Sequence, residues 1–158
     1  MKKMPYIIAL LFFIFDFISK QIIMHFMTIN ESIKVIPNFF YLTYVKNTGA
    51  AWSILEDERI LLLIITVIVL FLFNKYMNKE NLSKFDNLIY GMIIGGILGN
   101  FFDRVVFKAV TDFLDFKIFG YNYPVFNLAD TFIVVGIILL IIINIRKEYY
   151  GKNSSRRM

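Results

Sequence analysis

The sequence predicts an all-α membrane protein: four transmembrane helices, a small sheet on the outer side of the membrane, and both termini in the cytoplasm. Three observations carry that expectation. Hydrophobic residues make up 58% of the 158-residue chain, and mean hydropathy is +0.65. A soluble domain averages roughly 45–50% apolar, and the excess here is gathered into long runs. Finally, Lys and Arg are unevenly shared between the flanks of those runs, which sets orientation.

The first run covers 4–27. Two lysines precede it, as in a signal peptide. However, it is longer than a typical h-region, it contains Asp16 and Lys20, and the flank Thr28-Ile29-Asn30-Glu31 offers no small-residue cleavage site. A retained first span fits better. The loop at about 31–57 follows. Ile33-Lys34-Val35-Ile36 and Phe39 to Val45 are rich in β-branched and aromatic residues, with Pro37-Asn38 between them and Asn47-Thr48-Gly49 after them. This pattern predicts two or three short strands with turns, lying at the membrane surface with aromatics in the interface.

The second span, about 58–76, begins after Glu56-Asp57-Glu58 and ends at Asn74-Lys75. The third, about 84–103, contains Gly91, Gly95, Gly96 and Gly99. Three of these are spaced by four and share a helix face, where small residues allow a neighbouring helix to approach closely. The fourth, about 128–146, is mostly Ile, Leu and Val and ends at Arg146-Lys147. The tail at about 151–158 is expected to be disordered. The whole chain, 1–158, is expected to form one domain.

With four spans, both termini share a side. The N-terminus, the loop 74–87 and the tail together hold ten Lys and Arg; the other two loops hold six and are the acidic ones. The positive-inside bias puts the termini in the cytoplasm and the regions 31–59 and 103–127 outside. The net charge of +5 is read as topogenic, so no nucleic-acid partner is expected. The chain has no cysteine and a single histidine, His25. Disulfides, thiolate catalysis and His- or Cys-based zinc sites are excluded, and no metal or cofactor is expected.

The stretch from Gly99 to Asp130 holds Asp103, Asp112, Asp115 and Asp130 between two apolar segments. Carboxylates at a membrane edge are costly, and they face a watery site or do chemistry. Asp112 lies among apolar neighbours, whereas Asp115 could be simply solvated. Asn127-Leu128-Ala129-Asp130 has the spacing of a capping box at the start of the fourth span, and the same position would hold a carboxylate rigidly at the boundary. Two aspartates close together in an apolar, wet pocket share one proton. One then takes a proton from water and the other donates to a carbonyl oxygen, so Asp112 and Asp130 form a candidate catalytic pair. Asp16 and Lys20 lie i, i+4 inside the first span. Two uses fit them: a self-neutralising pair that ties helices, or a pair that also orients a site. Asn100 and Arg104 share a face. Arg104 could hold a carboxylate, Asp103 included, or anchor at the interface.

Five motifs in order resemble the lipoprotein signal peptidase (signal peptidase II) family over almost the whole chain. Asp16-Phe17-Ile18-Ser19-Lys20 resembles its DxxxK motif, and Asn47 to Ser53 its NxGAAxS motif. Gly99 to Arg104 matches GNxxDR, Val110 to Phe113 matches VxDF, and Phe126 to Asp130 matches FNxAD. Phe17, Trp52 and Thr131 depart from the residues common there, and none is a catalytic carboxylate. The resemblance implies a four-helix fold with an extracytoplasmic β-cradle, and an aspartic endopeptidase with Asp112 and Asp130 as its dyad. It implies that Asp16, Lys20, Asn47, Gly49, Asn100, Arg104 and Asn127 line, brace or orient the site. The implied substrate is a prolipoprotein whose cysteine carries diacylglycerol, cut just before that cysteine in the bacterial cytoplasmic membrane. A monomer in contact with membrane lipid is expected, because substrate enters sideways between helices.

Two rivals remain at this stage. Lys20 could activate Ser19 or Ser53 in a Ser/Lys protease. Intramembrane Asp and Lys beside a Gly-rich span could instead line an ion path.

Overall fold

A computed structural model describes residues 3–50, 54–77 and 82–155. Four helices are long and apolar enough to span a membrane: α1 (Met4–Phe26), α2 (Arg59–Met77), α3 (Lys84–Val106) and α4 (Leu128–Ser155). Between them lie β1 (Ser32–Ile36), β2 (Phe40–Asn47), β3 (Val110–Ile118) and β4 (Tyr121–Asn122), in one antiparallel sheet of order β1-β2-β3-β4.

α3 is the hub, packing against α1, α4 and α2. Its N-terminus is set by a reciprocal capping box: Asp86 N donates to Ser83 Oγ at 3.1 Å, and Ser83 N to Asp86 Oδ2 at 2.9 Å. The glycine face works as the spacing predicts. A Cβ on Gly95 would stand 2.6 Å from the Ala9 carbonyl oxygen of α1, and one on Gly96 would stand 2.5 Å from the Ala129 carbonyl oxygen of α4. Two helices are thereby drawn onto neighbouring faces of α3, about 100° apart, close enough for short side chains to reach across. The outer faces of α1, α2 and α4 expose large apolar residues such as Leu11, Phe15, Ile64, Phe71, Ile138 and Ile141. Such faces suit hydrocarbon, where they need no protein cover.

α4 runs past the expected end at 146, into the stretch expected to be disordered. No proline interrupts it, and cationic residues near a helix C-terminus suit its dipole. Residues 156–158 lie outside the described part. Near this end, Lys147 Nζ meets both oxygens of Asp86 at 3.2 Å, joining the end of one span to the start of another.

The segment between α1 and α2 forms β1 and β2, but the sheet is larger than the 31–57 stretch predicted. Its third strand, β3, comes from the segment between α3 and α4, and β3 carries Asp112. β2 and β3 pair as Leu42↔Leu114 and then as Val45↔Asp112, so β2 holds one extra residue between those pairs. A bulge of this kind shifts every later side chain by one position relative to its partner strand. Val45 and Asn47 therefore share a face with Asp112, while Lys46 is opposite Thr111.

Candidate active site

Asp112 sits near the start of β3, with only 2% of its surface exposed. Asn47 Nδ2 donates to its Oδ2 at 2.9 Å and Asn127 Nδ2 to its Oδ1 at 2.6 Å. Asp130 lies in the first turn of α4 and is half-buried. Asn100 Nδ2 donates to its Oδ1 at 2.7 Å. The capping box is present in both directions: Asp130 N donates to Asn127 Oδ1 at 2.9 Å, and Asn127 N to Asp130 Oδ2 at 3.2 Å. The two uses foreseen for Asn127 and Asp130 are thus compatible. Asn127 is also the pivot of the site, since its amide reaches Asn100 Oδ1 at 3.1 Å as well.

Both aspartates line a cavity of about 640 Å³. Asn47, Asn100 and Arg104 contribute to its polar wall, and Phe126, Ile133, Val134 and Val135 to its apolar wall. Burial, and then repulsion from Asp130, push the Asp112 carboxyl up to about 7, against the opposing pull of the Asn47 and Asn127 amides. Desolvation and a like-charged neighbour both favour the neutral acid. Asp112 is therefore poised to hold a proton near neutral pH.

Behind the cavity lie buried ions. Lys20 Nζ is 2.8 Å from Asp16 Oδ2 and 3.3 Å from Asp103 Oδ2, and it donates to Asn100 Oδ1 at 3.0 Å. Ala129 N donates to Asp16 Oδ1 at 2.9 Å, and Thr111 N to Asp103 Oδ2 at 3.0 Å. The Asp16–Lys20 pair therefore does tie helices together, and it also reaches Asp130 through Asn100.

Among the described residues Arg104 pairs with no carboxylate, the first of the two uses offered for it. Nη2 donates to the Gly49 carbonyl oxygen at 2.9 Å and Nη1 to that of Asn100 at 3.4 Å, while its buried Nε has no hydrogen-bond partner among the described residues. Asp103 belongs to Lys20 instead, because it lies on the face of α3 turned toward α1. Gly49 N donates to Asn47 Oδ1 at 2.9 Å, so this turn fixes the amide that holds Asp112. Asp115 is not merely solvated. It is half-buried and accepts from Thr43 Oγ1 at 2.6 Å across the sheet.

Lys46 was not foreseen as a neighbour of the site. Its Nζ donates to Thr111 Oγ1 at 3.0 Å, and burial holds the ammonium below its usual range. The signal was present in the sequence, since it precedes Asn47 in a strand, but without the bulge its facing was not readable. Ser19 Oγ donates to the Asp16 carbonyl oxygen at 2.7 Å, a backbone bond that leaves it unactivated by Lys20. Ser53 lies outside the described residues.

Two carboxylates share a cavity wall among apolar helices, an arrangement suited to a membrane-embedded aspartic peptidase. Comparison with known proteins narrows it. The family model described as signal peptidase (SPase) II matches residues 8–146, and the chain belongs to that family. A protein from Halothermothrix orenii named lipoprotein signal peptidase is 43% identical over 148 residues, covering 94% of this chain and 99% of that one. Two solved structures described as bacterial membrane enzymes share the fold. One has a TM-score of 0.84 at 39% identity, covering 91% of this chain and 88% of its own. The other has a TM-score of 0.78 at 40% identity, covering 87% and 90% respectively.

Proposed function

We propose that the protein removes signal peptides from diacylglyceryl-modified prolipoproteins, cutting just before the lipidated cysteine. The observation that carries this is the pairing of buried Asp112 with half-buried Asp130 at one cavity whose other wall is the lipid-depth helix α4. Asp112 carries the shared proton and Asp130 takes one from water. Water oxygen adds to the scissile carbonyl carbon as Asp112 gives its proton to the carbonyl oxygen. The resulting gem-diol collapses: the C–N bond breaks, nitrogen takes the proton held by Asp130, and a diol hydroxyl returns a proton to Asp112. No covalent intermediate is required.

Asn47, Asn100 and Asn127 orient the two carboxylates, and Gly49 presents its carbonyl to Arg104, which braces the turn carrying Asn47. Asp16 and Lys20 brace the helices beneath. The Lys and Arg bias supports cytoplasmic termini and an extracytoplasmic sheet in the bacterial cytoplasmic membrane. Sideways entry of a lipidated substrate suits a monomer surrounded by lipid.

The test is cleavage of a lipidated prolipoprotein by wild type, Asp112→Asn and Asp130→Asn. Both variants are expected to lose turnover. Wild-type rates in either variant would remove the dyad mechanism. No cleavage by the wild type would remove the function.

A further inference from the structure

The buried ions do not line the cavity, and the chemistry above uses none of them. Asp16 and Lys20 are 0% and 1% exposed, and Asp103 is 1% exposed. Two carboxylates share one ammonium here, so the group is costly to bury. Apolar side chains of similar size would pack the same space at lower cost. Their hydrogen bonds suggest what the ions are for. Asp16 accepts from the backbone N–H of Ala129, the residue immediately before Asp130. Asp103 accepts from the backbone N–H of Thr111, the residue immediately before Asp112. Lys20 stands between the two acceptors.

We propose that Asp103 is a positioning residue which, through Lys20 and Asp16, clamps the backbones ahead of Asp112 and Asp130 and so fixes the separation of the two catalytic carboxylates. The inference rests on the dyad proposed above. Asp112 comes from a strand and Asp130 from a helix, so no single element sets the distance between them. The route Thr111 N, Asp103, Lys20, Asp16, Ala129 N is a chain of short polar contacts, each between 2.8 and 3.3 Å, that joins the two. Asn100 adds a side branch, since it accepts from Lys20 and donates to Asp130. Lys46 fastens the other face of β3, donating to Thr111 Oγ1.

The experiment uses the full-length protein in micelles with a lipidated prolipoprotein substrate, comparing wild type, Asp103→Ala and Asp103→Asn. Asn keeps an oxygen that accepts from Thr111 N–H; Ala does not. A misplacement of about 1 Å costs on the order of 100-fold. Asp103→Ala is therefore expected to lose about 100-fold in kcat, with KM within about 3-fold, and Asp103→Asn to recover kcat to within about 10-fold of wild type. A pH profile separates spacing from charge, because both variants remove the same charge. The groups facing Asp112 are Asp130 from α4, Lys20 from α1, Asn47 from β2, Asn127 before α4 and Arg104 from α3. Loosened spacing weakens the repulsion from Asp130, so the high-pH limb of kcat should fall further in Asp103→Ala than in Asp103→Asn. Wild-type kcat in Asp103→Ala, equal losses in the two variants, or a change in KM alone would overturn the clamp. If Asp103→Ala does not fold, a loss of about 100-fold or more in folded Asp103→Asn would overturn it too, since the acceptor is still there. Failure of the underlying dyad shows separately, as retained cleavage in Asp112→Asn or Asp130→Asn.

Discussion

Replacing Asp112 by Asn should stabilise the fold at high pH and weaken it at low pH. The folded protein raises this carboxyl from 3.8 to about 7. A group held up in this way contributes stability that is fully present below its unfolded value and is lost as pH rises through the folded one. At ~1.4 kcal/mol per pKa unit, the loss between pH 4 and pH 9 approaches ~4 kcal/mol. Asparagine removes that loss. It brings its own cost, because Asn47 and Asn127 both direct amide donors at position 112. An asparagine there has only one carbonyl oxygen, so one donor meets another donor, at about 1 kcal/mol. The variant is thus less stable than wild type by about 1 kcal/mol at pH 3, below the unfolded value, and more stable by about 3 kcal/mol at pH 9. For a chain of this size each kcal/mol moves Tm by roughly 2–4 °C. Thermal unfolding in micelles at pH 3, 6 and 9 should show the Tm difference change sign. A difference that stays constant from pH 3 to 9 would mean that Asp112 is not held protonated by its surroundings.

Two further perturbations follow from the packing and the cap. Gly96→Ala would place a Cβ 2.5 Å from the Ala129 carbonyl oxygen and 2.9 Å from Ile133 Cγ1, pushing α4 and Asp130 outward. It should cost about 1–3 kcal/mol and lower kcat, whereas Gly120→Ala, at φ +81° with open space around it, should cost about 1 kcal/mol and leave kcat unchanged; an equal effect on kcat from both would contradict the packing account. Asn127→Ala removes the cap of α4, worth about 1 kcal/mol, and a donor to ionised Asp112, so the Asp112 transition, followed by carboxyl infrared absorption, should move above its position near 7.

The helices were legible because a membrane asks little of them: long apolar runs, with backbone bonds satisfied inside each run. Asp16 and Lys20 were legible as a pair for a similar reason, since spacing of four inside a span leaves them few other partners. What stayed hidden is tertiary. Val110 to Ile118 has no clean alternation, because both faces of β3 are covered near its start, where Val110, Thr111, Asp112 and Phe113 are all buried. A strand buried on both sides loses the period of two that would announce it. The partner of Asp103 was hidden as well. Its neighbour Arg104 is close in sequence, but a helix turns adjacent residues about 100° apart, and Lys20 arrives from another helix.

The bulge in β2 shows how narrowly the site depends on such hidden features. With the Leu42↔Leu114 register continued, Tyr44 would lie opposite Asp112, and Lys46 would take the place on its face that Asn47 now holds. Asn47 would turn to the other side of the sheet. An ammonium beside Asp112 would favour its ionised form and discharge the shared proton on which the proposed chemistry depends. The single extra residue between Leu42 and Val45 prevents this. It turns an amide toward the carboxylate, where it can hold Asp112 in place without adding a charge, and it sends the lysine to Thr111 on the reverse face. Motif order alone places Asn47 near Asp112. The facing that makes the contact useful comes from the register of two strands drawn from different loops.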